Sequence, residues 1–121
     1  MRRAFIAAAA AAGSVLFASA ALADNEAGMY GNTVVCTYPD GGTTKVYLQQ
    51  GGAYTVIRGG QTIQGKWADD GTNVCYTETD PATPGAKPVC VANKAWKVGD
   101  SWQVVDPVGK TCTSVLMAGH Q

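Results

Sequence analysis

The chain has 121 residues, nine basic and nine acidic side chains, one histidine and four cysteines, and 46% of it is hydrophobic. Lysines are scattered singly, at Lys45, Lys66, Lys87, Lys94, Lys97 and Lys110, so no basic stripe recommends a nucleic-acid partner. The lone imidazole, His120, is penultimate, which leaves little inventory for nucleophile–base catalysis or a zinc centre.

Met1-Arg2-Arg3 gives a positive start, residues 4–20 are apolar and rich in alanine, and Ala21-Leu22-Ala23 fits the small-x-small cleavage rule. Residues 1–23 therefore read as a secretory signal peptide. Cleavage after Ala23 leaves 98 residues as one small domain, with seven basic against nine acidic groups. No later run is long and apolar enough to cross a bilayer.

Residues 24–31 are polar and read as a loosely held terminus. Residues 32–38 are β-branched and aromatic, suiting a strand, and Pro39-Asp40-Gly41-Gly42 supplies turn chemistry. Residues 43–49 alternate, residues 53–58 extend, and Gly59-Gly60 between them and the next run reads as a tight hairpin. Ile63, Gly65 and Trp67 alternate with polar neighbours as one face of a strand. Asp70-Gly71 is a strong hairpin signal, leading into a run over 73–79.

Residues 80–87, with Pro81, Pro84, Gly85 and the following Pro88, read as a protruding loop that cannot join a ladder. Residues 88–92 suit a short strand around Cys90. Residues 93–99 read as a loop or a single helical turn. Residues 101–106 place Trp102 and Val104 on one face, and residues 111–117 form the last strand. The expectation is an all-β fold: a small antiparallel meander of seven or eight strands forming a sandwich or barrel.

An even cysteine count in a short exported chain implies two disulfides, and four cysteines allow three connectivities. Cys75 and Cys90 flank the proline-rich loop, so their pairing would staple its base. Cys36 and Cys112 would then join the first and last strands. Two bonds of this kind suit a domain whose core is thin.

Trp67 and Trp102 fall on apolar faces and read as core. Trp96 sits between Lys94 and Lys97 in a segment without alternation, which makes it a candidate contact residue, or a cap on an open barrel end. Together with Lys87 in the loop, these four residues form the candidate binding site. No residue is expected to be catalytic, cofactor-binding or metal-ligating. Asp69 and Asp70 read as turn residues, and Glu78 with Asp80 is a carboxylate pair that would need a cleft to act on a glycoside.

Gly65-Lys66-Trp67, Cys75-Tyr76-Thr77, Cys90-Val91, Lys97-Val98-Gly99-Asp100-Ser101-Trp102 and Leu116-Met117-Ala118-Gly119 resemble the pattern of a family of small exported alphaproteobacterial proteins. The resemblance spans residues 52–119, with Ala92 where the family often has proline. It implies export and a β-fold and carries no activity. A looser similarity, at Val35-Cys36-Thr37-Tyr38 and Tyr54-Thr55-Val56, is to periplasmic lysozyme-inhibitor barrels. The functional expectation is a periplasmic or secreted non-enzymatic binding protein for a protein or envelope component, possessing no cofactor. Its alternatives are a small-molecule-binding β-barrel and a carboxylate-dependent hydrolase.

Overall fold

Alternation of apolar and polar residues produces eight strands: Thr33–Thr37 (β1), Thr43–Leu48 (β2), Ala53–Arg58 (β3), Gln61–Asp69 (β4), Asn73–Asp80 (β5), Val89–Ala92 (β6), Ser101–Val105 (β7) and Thr111–Met117 (β8). The computed structural model describes residues 24–121, and the leader expected over 1–23 lies outside the described residues. All pairings are antiparallel, in the order β6-β5-β4-β3-β2-β1-β8-β7. The last strand returns beside the first, with Thr33 opposite Met117 and Thr37 opposite Thr113. That single non-local pairing curls the meander into a nearly closed barrel. A seam is left where β6 and β7 approach one another without a ladder between them.

Gly59 and Gly60, at φ 57° and 80°, form the two-residue turn in which both central residues are left-handed, as the right-handed strand twist prefers. The Asp70-Gly71 hairpin is longer by one residue than a two-residue turn. Asp69 ends β4 and Asn73 opens β5, and the Asp70 N–H donates to the Asn73 carbonyl. Only Gly71 takes positive φ there, because the Asp70 carboxylate organises the loop instead, accepting from the N–H groups of Thr72 and Asn73. Those bonds hold its carboxyl below the usual range.

The inward residues are the ones the alternation selects. Met29, Val34, Leu48, Tyr54, Val56, Ile63 and Leu116 form the buried core, with Trp67, Trp96 and Trp102 packed against it. Gly65 lies opposite Tyr54, and a Cβ there would strike the Tyr54 ring and come 2.6 Å from the Thr77 carbonyl oxygen. Beside it β5 carries a bulge, since Gln64 pairs with Asp80 and Gly65 with Glu78.

Both disulfides follow the expected pairing. Cys36–Cys112 spans 76 residues and joins β1 to β8 inside the barrel, and Cys75–Cys90 spans 15 and joins β5 to β6. Two disulfides fit a secreted or periplasmic protein. Among the described residues no helix is long and apolar enough to cross a membrane.

One expectation is corrected. Residues 24–31 are no loose terminus: Asp24–Met29 forms a 3-10 helix whose Met29 and Glu26 are 4% and 1% exposed. It is held because the barrel end needs an apolar plug, and Gly28 lets it approach the Trp96 carbonyl oxygen, which a Cβ would meet at 2.6 Å. The C-terminal residues are tied to the barrel as well. Gly119 N–H donates to Asn32, Gln121 N–H to Thr33 Oγ1, and Tyr47 to the Gln121 carbonyl. His120 stacks on the Tyr47 ring at 4.1 Å and stays exposed.

Candidate functional site

Strand parity decides what the barrel interior contains. Tyr54, Val56 and Arg58 point inward from β3, and Val74, Tyr76 and Glu78 from β5, so both apolar series end in a charge. The two charges meet. Arg58 Nη2 donates to Glu78 Oε2 at 2.6 Å and Nη1 to Oε1 at 3.3 Å, a two-pronged charge-assisted contact. The Glu78 side chain is 2% exposed and that of Arg58 27%. Burial works against the Arg58 charge, and the Glu78 carboxylate more than offsets it, so the guanidinium is held above its ordinary value.

Beside this pair Tyr38, in phase with Val34 and Cys36, donates to Asp106 Oδ2 at 2.8 Å. Burial raises the Tyr38 phenol, and Asp106 raises it further. The other Asp106 oxygen accepts from the N–H groups of Val108 and Lys110. Asp106 is therefore a turn starter, as its place before Pro107 suggests, and also half of a part-buried hydrogen bond. Arg58 Nε is buried without a partner among the described residues.

Between this polar end and the Met29 plug lies a cavity of about 90 Å³. Val46, Leu48, Val56, Val89, Val91, Trp102 and Val104 line it, so most of its wall is hydrocarbon. A wider open groove of about 620 Å³ runs along the seam, between Lys87–Cys90 and Gln103–Pro107. Val89, Val104, Asp106 and Pro107 border both hollows. The interior and the seam thus share these four residues as lining.

The expected binding residues fall at two places. Trp96 is half-buried and stacks on Trp102 at 4.1 Å, while Lys94 Nζ lies 4.6 Å above the Trp96 ring. The Lys97 N–H donates to Asp100 Oδ2. Segment 93–100 has no regular secondary structure, and it carries Val98 at 53% exposure. Lys87 is at the opposite end of the seam, where its N–H donates to the Pro107 carbonyl. Lys94, Trp96 and Lys97 thus share one segment, and Lys87 is not with them.

A second polar centre lies at the plugged end. The Glu26 carboxyl faces Asp69, and burial first, then the Asp69 carboxyl beside it, pushes it up to about 7. Asp69 does act in the turn, its Oδ1 accepting from the Gly71 N–H. The same oxygen accepts from Asn93, and its Oδ2 is buried without a partner.

Glu78 of the carboxylate pair is engaged by Arg58, and Asp80 is exposed. No cysteine among the described residues is free, and no three His, Cys, Asp or Glu side chains among them gather at one point. No family model, curated protein or solved structure matches the chain.

Proposed function

We propose that this is an exported, periplasmic, non-enzymatic binding protein that takes the apolar end of a small molecule into its barrel. The observation that carries this reading is the hydrocarbon-walled cavity bordering the unpaired β6–β7 seam. A strand lacking ladder bonds on one side yields more readily than one held on both, so the seam is the natural entry. At about 90 Å³ the cavity is smaller than the ~150 Å³ that encloses benzene. It suits a chain end of roughly three or four carbons, with the polar remainder along the groove.

The supporting signals in the sequence are the leader-like residues 1–23 and the family resemblance, both of which point to export. Titration with a series of straight-chain alcohols, followed by tryptophan fluorescence, tests the reading through Trp102 at the cavity wall. Affinity should rise about threefold to fourfold per methylene and level off once the cavity is filled. Val104→Phe, which fills the space, should abolish the rise. A flat series, or one unchanged in Val104→Phe, would overturn it.

A second reading places a protein or envelope component on segment 93–100, where exposed Val98 lies between Lys97 and Gly99 close to Lys94 and Trp96. Under that reading Val98→Ser weakens capture of the partner and leaves the alcohol series untouched.

A further inference from the structure

At the plugged barrel end, two carboxyl groups meet where three segments join. Glu26, from the 3-10 helix, is 1% exposed, its Oε1 has no hydrogen-bond partner among the described residues, and Asp69 is the acid that faces it. Asp69, from the end of β4, has Oδ2 in the same condition. Segment 93–100 closes the joint: Asn25 donates to Asn93 Oδ1 at 2.6 Å, and Asn93 donates to Asp69 Oδ1 at 2.9 Å.

The other titratable groups around Glu26 are Tyr76 from β5 and Tyr30 just beyond the helix, and both phenols are raised, by burial first and then by the Glu26 charge. Lys94 of segment 93–100 lies over the Trp96 ring. Among the described residues the sole ion pair is Arg58–Glu78, so no cation there neutralises the two acids. Two buried carboxylates side by side are stable only while one holds a proton.

We propose that Glu26 and Asp69 form a proton-dependent latch that keeps the Asp24–Met29 helix seated in the barrel mouth. With Glu26 protonated, the acids share a hydrogen bond and the helix stays docked. Once both are charged, repulsion in a water-poor joint drives Glu26 toward solvent. Met29, which lines the interior cavity, leaves with it.

The sign follows from linkage. Glu26 titrates at about 7 when docked against 4.5 in water, so the docked state binds the proton more tightly. Docking is strongest below the lower value and is lost as pH rises through the higher one. Those two values correspond to a docking equilibrium about 70-fold weaker at pH 8 than at pH 5.

NMR titration of the Glu26 side-chain carboxyl, with amide-exchange protection factors from pH 5 to 8, tests the latch. A midpoint near 7 is expected. Protection at Met29 and Tyr30 should fall at least tenfold, while Val56 and Leu116 in the barrel stay constant. In Glu26→Gln the fall should vanish. If that variant does not fold, Asp69→Asn should still bring the Glu26 midpoint down toward the ordinary carboxylate range. An ordinary midpoint in the native protein would overturn the proposal. So would protection at Met29 that is independent of pH, or that falls equally in Glu26→Gln.

Discussion

Gly65 and Arg58 show how much of this barrel rests on single positions. Gly65 is the one inward site on β4 where a neighbouring ring occupies the space of a side chain. Gly65→Ala should therefore cost about 1–3 kcal/mol, as overpacking does, although alanine is ordinarily the better residue in regular structure. Urea denaturation will measure it. Arg58 has a different logic. Arg58→Ala strands a Glu78 side chain that is 2% exposed, and an uncompensated buried charge costs about 3–5 kcal/mol. The double variant Arg58→Met/Glu78→Met removes both charges and should recover most of that loss. A double variant as unstable as Arg58→Ala would show that the pair's hydrogen bonds, rather than the orphaned charge, set the penalty.

At the scale of elements, the two disulfides do separate jobs. Cys36–Cys112 ties the chain's first strand to its last across 76 residues, and Cys75–Cys90 ties consecutive strands across 15. The chain-entropy model assigns about 4.5 kcal/mol to the first and about 3 kcal/mol to the second. Cys36→Ala/Cys112→Ala should accordingly lower the denaturation midpoint more than Cys75→Ala/Cys90→Ala. The second pair bears on the seam: β6 is four residues long and bonded to β5 alone, so its disulfide limits how far that edge strays. Loss of Cys75–Cys90 should speed amide exchange in β6 by at least tenfold with little change in β1 or β2.

For the whole molecule, the strands, most turns and the disulfide pairing could be read from residue order, because a two-residue period and left-handed glycines are local signals. Closure could not. Sandwich and barrel share the same alternation, and what separates them is the β1–β8 register, set by strands nearly the full domain apart. The plug was hidden for another reason. Six residues with one methionine show no period, and only the barrel end they cover makes Met29 and Glu26 inward. Part of the site is legible in the sequence. Arg58 and Glu78 continue the inward parity of Val56 and Tyr76, and a charge at the end of each apolar series already marks a buried pair. Trp96 stands out in the sequence as a tryptophan between lysines, yet in the fold Trp102 covers one face and Lys94 lies over its ring. Its neighbours in space come from loop closure, which spacing along the chain does not encode.

The proposed role requires that the barrel interior, entered at the β6–β7 seam, receive the apolar end of a small molecule. Intermolecular NOEs from the terminal methyl of bound n-butanol test it most directly. Cross-peaks are expected to the methyl groups of Val56, Val91 and Val104, which line the cavity. Cross-peaks confined to the exposed Val98, Val105, Val108 and Met117 would contradict it.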